Sequence, residues 1–448
     1  MPSSIGNRAV VVGAGPAGLC AARAVADHFD EVVVLERDAL PKDAAPRPGT
    51  PQARHTHGLL VGGLRALEEM FPGFERDLAD AGAVPLHVGT DLLVDRPGFD
   101  PFPQRDLGLV SYAMSRPLLE LTIRRRLDRY PNVLLRENCR VASLSPTQDG
   151  EAVAAVEFAT AGGANERLSA DFVIDASGRG VLTEDFLRAV GRTPPEETAI
   201  GIDLGYSTAV YRIPRNAPTR FKGAVMIPNA PESSRGAFLL PMENDRWIVS
   251  LGGAHGDHPP GDPEGFLAFA RSLRTATVFE AIRNAELLSP IARYVFPGSL
   301  RRGYERLADF PRRLLPLGDA ICRFNPFNGQ GMSVAAQEAN VLRLSLEQAV
   351  VADDPFAALA AAYFARLPEL LAAPWSTATL DFVYPRTTGT RPADLARTLG
   401  FGAGLMKLAA RDPEIHKLTI EVGSLVRSPS AYRDPTLQRS VAAAMAEA

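Results

Sequence analysis

The residues best suited to chemistry fall into a few short segments. Gly13-Ala14-Gly15-Pro16-Ala17-Gly18 matches G-x-G-x-x-G between an apolar strand, 9 to 12, and a helical pattern, 19 to 28. In such a motif the first glycine permits a tight turn and the second lets backbone approach a pyrophosphate. The third lets the helix pack closely on the strand. The helix start adds free N–H groups and the positive end of a dipole. Glu36 ends the next apolar strand, EVVVL, 18 positions after Gly18. A carboxylate there accepts ribose hydroxyls and repels a 2′-phosphate. A dinucleotide site is expected.

Three later segments carry matching chemistry. Arg116 follows Ser115 and precedes Pro117 at the start of a strong helical pattern. A cation is disfavoured at that end of the dipole unless an anion sits beside it, and a guanidinium suits a phosphate diester. Asp319, in Leu317-Gly318-Asp319-Ala320, stands at a strand end where a carboxylate can accept sugar hydroxyls. Asn325-Pro326-Phe327-Asn328-Gly329-Gln330-Gly331-Met332 precedes an alanine-rich helix. Its glycines let backbone approach a flat ring edge, and the helix start stabilises negative charge there. The loop from Arg47 to Gly58 brings Arg54, His55 and His57 together. The two histidines either tune an ionisable ligand or are satisfied within the loop.

The elements that must hold these residues follow from the pattern. The first forty residues read as β-α-β. A helix is expected from 60 to 70, and another from Arg116, capped by Ser115. Strands are expected over 132–141, 152–159 and 170–174, the last leading into Asp175-Ala176-Ser177-Gly178-Arg179-Gly180. Residues 195–300 read as alternating strands. AFLLPM and RWIVSLGG pair through a turn at Glu243-Asn244-Asp245. A buried strand lies within 312–320, and after 355 the chain reads as helical apart from YPRTTGTRP.

Composition excludes several classes. The chain has 448 residues, 46% hydrophobic and 22% charged, with a formal net charge of -4. No basic field invites nucleic acid. Cys20, Cys139 and Cys322 are odd in number and far apart, which suggests a reducing cytoplasm rather than a disulfide framework. His55-x-His57 and His255-x-x-His258 lack the Cys or carboxylate partners of a metal site, so no metal is expected. Residues 9–26 mimic an apolar leader, but three glycines and a proline interrupt them. No transmembrane segment is expected.

Together the glycine finger, Ser115-Arg116-Pro117-Leu118-Leu119, the Gly-Asp pair and the GQGMS turn resemble the glutathione-reductase-like flavoprotein monooxygenases. That resemblance implies an α/β chain (α+β overall). A three-layer ββα FAD-binding Rossmann-like domain would comprise 1–84, 105–194 and 301–354. A mostly β substrate domain (85–104 and 195–300) would be inserted, with a helical C-terminal region over 355–448. It implies FAD contacts at Gly13, Gly15, Pro16, Ala17, Gly18, Glu36, Arg37, Arg54, Arg116, Val141, Asp175, Gly178, Asp319, Gly329, Gly331 and Met332. Arg54, with His55 and Gln52 as neighbours, would sit over the flavin, and Arg54, His55 and Pro326 would be catalytic.

The implied reaction uses a flavin hydroperoxide to move one oxygen atom from O2 to a small hydrophobic substrate, by epoxidation or hydroxylation, in secondary-metabolite tailoring. Arg179 stands where single-component hydroxylases carry aspartate. It thereby resembles squalene-epoxidase-like, polyether-epoxidase-like and halogenase-like members, a form that speaks against direct NAD(P)H use and for a separate flavin reductase that passes on the electrons of NAD(P)H. Trp247-Ile248-Val249-Ser250 lacks the second tryptophan and the proline of the Trp-x-Trp-x-Ile-Pro segment of flavin halogenases. An alkene reductase and a non-catalytic FAD-binding module are the other readings. Tyr206 and Tyr211 are expected as polar partners in an apolar substrate pocket.

Overall fold

A computed structural model of the chain describes residues 4–178, 180–215, 217 and 220–446. Its first unit is β1 (Gly6–Val12), α1 (Pro16–Ala26) and β2 (Phe29–Leu35). β1 lies between β2 and Phe172–Asp175, Leu314–Pro316 flanks the latter, and Val133–Arg136 flanks β2, all in parallel. The strands are nearly continuous apolar runs because both faces are covered. Ala9, Val11, Val32 and Val34 face α1 and the helices Arg116–Leu127 and Gly331–Ala349. Val10, Val12, Val33 and Leu35 face an antiparallel meander, Arg140–Pro146, Val153–Ala159 and Asn165–Ser169. Alternation along each strand therefore builds the ββα layers.

The register also positions the site. Val12 lies beside Leu35 and Asp175, and Asp175 lies beside Pro316. The finger, Glu36, the 176–180 loop and Asp319 thus all leave the carboxyl edge of one sheet, where open parallel sheets bind ligands.

One expected strand, 132–141, is two. Glu137–Cys139 turns between Val133–Arg136 and Arg140–Pro146, with Asn138 at φ 56, and the halves join different sheets.

The larger sheet orders Cys322–Arg323, Ala292–Arg302, Glu197–Arg212, Arg246–Ala254, Gly236–Met242, Gly223–Met226 and Leu92–Asp95. Thr388–Gly389, from the YPRTTGTRP loop, pairs with Glu197–Arg212. The expected hairpin turns on Asn244 (φ 65) and Asp245 (φ 51), the paired positive angles that match strand twist. Two helices, Pro263–Arg271 and Thr277–Ile282, interrupt the stretch read as strands only. The first had a legible start: Asp262 caps Gly265 N at 2.7 Å, with Pro263 following.

Beyond 355 come Leu359–Phe364, Leu367–Thr379, Leu395–Arg411, Pro413–Gly423 and Pro435–Ala446. Among the described residues, no helix is long and apolar enough to cross a membrane.

Candidate cofactor cleft and adjoining cavity

The three finger glycines have separate geometric roles. Gly13 takes φ +100, and a Cβ there would lie 2.7 Å from Ala176 O. A Cβ on Gly18 would lie 1.8 Å from Gly13 O, so the helix could not seat. A Cβ on Gly15 would meet only Arg116 Nη2, at 3.5 Å, because it points into open space. That space is a cleft of about 460 Å³.

Glu36 is buried at one end of the cleft. Its Oε2 accepts from Ala14 N at 2.8 Å and its Oε1 from Asp38 N at 3.0 Å. Arg47 Nη1 pairs with Glu36 at 2.8 Å and Asp38 at 2.9 Å, and its Nε reaches Glu120 at 3.5 Å. Glu120 in turn holds Arg116 Nε at 2.8 Å. A buried chain of alternating charge therefore runs from Glu36 to Arg116. Arg47 and Glu120 were not singled out from sequence, because their value lies in an encounter across loop and helix. Ser115 caps its helix, with Oγ accepting from Leu118 N at 3.2 Å, which fixes Arg116 at the first helical position.

At the other end, Asp319 lines the cleft. It is exposed to the cleft, yet the protein packed around it raises its pKa, opposed by Arg116 and Arg323. Asn325 shapes the next turn: its Oδ1 accepts from Phe327 N at 3.0 Å, and its Nδ2 donates to Asp381 at 3.0 Å. Gly329 takes φ +64, and the helix Gly331–Ala349 begins against the cleft. Gln330 Oε1 is buried there without a partner.

Of the residues expected to hold a cofactor, Gly13, Gly15, Pro16, Ala17, Glu36, Arg37, Arg116, Val141, Gly178, Asp319, Gly329, Gly331 and Met332 line this one cleft, as does Pro326. Gly18 lies behind it, in the first turn of α1, packed against Gly13. Asp175 is fully buried and does not line the cleft: it accepts from Ser177 N and from Thr183 N and Oγ1 at 2.8–3.1 Å, holding the loop that does. Arg54 departs from expectation. It ends a 3-10 turn, Pro51–Arg54, that tucks Ala53 inward and leaves Arg54 exposed, away from the cleft lining. Arg179 lies outside the described residues.

His55 is also behind the cleft. It is 3% exposed, packs edge-on against Tyr206 at 4.6 Å, and its Nδ1 is 2.8 Å from Thr208 Oγ1. Burial, with Arg54 nearby, lowers its pKa to about 4. His57 is the histidine that reaches the site. Its Nδ1 is 2.9 Å from His55 O, and burial and Arg116 lower its pKa to about 3.

His57, Thr56, Gly58, Tyr206, Pro326 and Gly329 line both the cleft and a second cavity of about 200 Å³. The walls of that cavity include Leu60, Val88, Val225, Phe238 and Leu240. Tyr211 and Trp247 are instead in the core beneath Pro263–Arg271, outside both spaces.

The arrangement can hold an elongated dinucleotide whose far end abuts an apolar chamber. No protein-family model matches the sequence. Protein Rv3254 of Mycobacterium tuberculosis is 32% identical over 357 residues, covering 78% of this chain and 75% of that protein. Among solved structures, a flavoprotein/dehydrogenase from Cytophaga hutchinsonii superposes with a TM-score of 0.69 at 14% identity, over 99% and 100% of the two chains. The flavin-dependent brominase Bmp2 gives 0.65 at 16% identity, over 97% and 99%. PqsL of Pseudomonas aeruginosa in complex with 2-aminobenzoylacetate gives 0.62 at 17% identity, over 84% and 96%. At these identities the likeness establishes the fold.

Proposed function

The chain belongs to the family of Protein Rv3254, and we propose that it is an FAD-dependent monooxygenase. One observation carries the proposal: the cleft continues from the glycine finger to the Pro326–Met332 turn, and there adjoins a cavity with apolar walls. The residues fit FAD. Gly15 leaves room for a pyrophosphate, with Arg116 beside it as counter-charge. Glu36 and Asp319 offer carboxylates to sugar hydroxyls at opposite ends, and the orphaned Gln330 Oε1 offers an acceptor near a ring edge. When bound and reduced, FAD supplies the reaction with dioxygen that delivers one oxygen atom.

The chain's own residues hold, orient and shield. The start of the helix Gly331–Ala349, which lines the cleft, would set its dipole against negative charge on the ring of a bound flavin. Leu60, Val88, Phe238 and Leu240 exclude water around the substrate. His57, neutral at physiological pH, stands at the junction as a hydrogen-bonding group without net charge. The substrate is small and hydrophobic, and the reaction is an epoxidation or hydroxylation within secondary-metabolite tailoring. Electrons come from NAD(P)H through a separate flavin reductase.

The test is to supply reduced FAD, 18O2 and a panel of alkenes and phenols. Purified protein should carry FAD, and product should gain a single 18O atom. Oxygen traced to water, or a product heavier by two hydrogens without oxygen uptake, would overturn the proposal. Bromination on adding bromide would replace it with a halogenase.

A further inference from the structure

The cleft and the apolar cavity meet at a neck. Thr56, His57, Gly58, Tyr206, Pro326 and Gly329 line both spaces and so frame it. Gly58 and Gly329 face each other there, for a Cβ on Gly58 would lie 3.7 Å from Gly329 O. An atom handed from a bound ring to a molecule in the cavity crosses this neck. The reacting edge of the ring therefore lies against it.

The side chains of the neck are not equivalent. Gly58, Pro326 and Gly329 bring no polar side-chain atom. The hydroxyls of Thr56 and Tyr206 give hydrogen bonds as well as take them. His57 differs. Its Nδ1 is 2.9 Å from His55 O, which only accepts, so Nδ1 bears the proton and Nε2 is left as an acceptor. Burial and Arg116 keep the ring uncharged, with a pKa of about 3.

The carbonyl that fixes this tautomer is itself held. His55 is buried, and its Nδ1 lies 2.8 Å from Thr208 Oγ1. Thr208 Oγ1 is 2.6 Å from Ser250 Oγ, which donates to Thr56 Oγ1 at 2.8 Å. This string ties the loop at His55 and Thr56 to the strands Glu197–Arg212 and Arg246–Ala254.

A flavin ring changes its hydrogen-bonding character at one atom of its reacting edge. Oxidised, N5 presents a lone pair. Two electrons and one proton convert it to N–H and leave negative charge towards N1. A group that accepts and cannot donate opposes the lone pair and takes the N–H. We infer that His57 Nε2 accepts a hydrogen bond from the N5–H of reduced FAD, with the His55 carbonyl as the positioning group that fixes its tautomer. The opposite tautomer would favour the oxidised ring. This rests on the FAD reading above, whose reductase supplies the two electrons from NAD(P)H, and it gives His57 a defined partner.

The experiment is anaerobic equilibrium dialysis of the full chain against FAD and 5-deaza-FAD, each oxidised and chemically reduced. The deaza compound carries carbon at position 5 and gains no N–H on reduction. The quantity read is the ratio of oxidised to reduced Kd. For FAD it should fall about tenfold in His57→Phe, and His57→Gln, whose amide oxygen accepts, should recover most of the loss. For 5-deaza-FAD it should be the same in all three chains. In the unaltered chain the FAD ratio should exceed the deaza ratio about tenfold, which keeps the test standing if a variant fails to fold. Equal ratios there, an FAD ratio unmoved by His57→Phe, a matching fall with 5-deaza-FAD, or no recovery in His57→Gln overturns the inference. Unaltered protein that binds FAD in neither state sinks the cofactor reading instead.

Discussion

Within the finger, Gly15 and Gly18 fail differently when replaced. Gly15 points into the cleft, so Gly15→Ala places a methyl group where a pyrophosphate would lie and disturbs nothing else. Its melting temperature should stay within a degree or two of the unaltered chain. FAD affinity, followed by flavin fluorescence, should fall more than about tenfold. Gly18→Ala forces a Cβ to 1.8 Å from a backbone oxygen that cannot move aside. It should cost about 3 kcal/mol in urea unfolding whether or not FAD is present. The reverse pattern, with Gly15→Ala unstable and Gly18→Ala deficient only in binding, would show that the cleft is not the dinucleotide site. His57 makes the same point about residues. It shares a loop with Arg54 and His55, but only its ring reaches the junction, because the carbonyl of His55 fixes it there.

At the scale of elements, the helix Gly331–Ala349 is tied to the strand-end loop by a buried acid. Glu338 Oε2 accepts from Gly318 N at 2.5 Å, holding the turn that presents Asp319. Burial raises the Glu338 pKa from 4.5 to about 8, with Gly318 N–H opposing the shift. A raised folded pKa means the native state keeps a proton that the unfolded chain releases. Stability from this group is therefore full below about pH 4.5 and falls as pH rises towards 8, by roughly 1.4 kcal/mol per pH unit. Glu338→Gln keeps an acceptor for Gly318 and removes the titration. Urea unfolding at pH 5, 7 and 8.5 should show a flatter profile than the unaltered chain, and equal slopes would contradict it. The cap at Ser115 is a smaller support: Ser115→Ala should cost about 1 kcal/mol.

In the whole molecule, the C-terminal helices close the site from outside. Leu425 O accepts from Gln337 Nε2 at 2.8 Å, and Ser424 lines the apolar cavity. Arg105 donates to Ala409 O at 2.7 Å, fixing the same bundle to the loop before Leu107. Gly62 makes this docking close, since a Cβ there would lie 2.2 Å from Leu425 O. Gly62→Ala should speed amide exchange in Pro413–Gly423 while Gly6–Val12 stays protected, and exchange unchanged in both would contradict it. The sequence alone determined the parts with local causes: the finger and its strand and helix, the Ser115 cap and the Asn244-Asp245 turn; the three-layer fold class came through the family resemblance that those motifs carry. Each local part depends on glycine freedom, a nearby cap or a period of apolar residues. Only tertiary structure decided that Arg54 turns outward while His57 turns in, that Asp175 braces a loop, and that Arg47 links Glu36 to Glu120. It also decided that 132–141 divides between two sheets and that Thr56, Ser250, Thr208 and His55 form one string. These depend on groups up to 194 positions apart meeting in space, and no local pattern encodes which side of a loop will find its partner there.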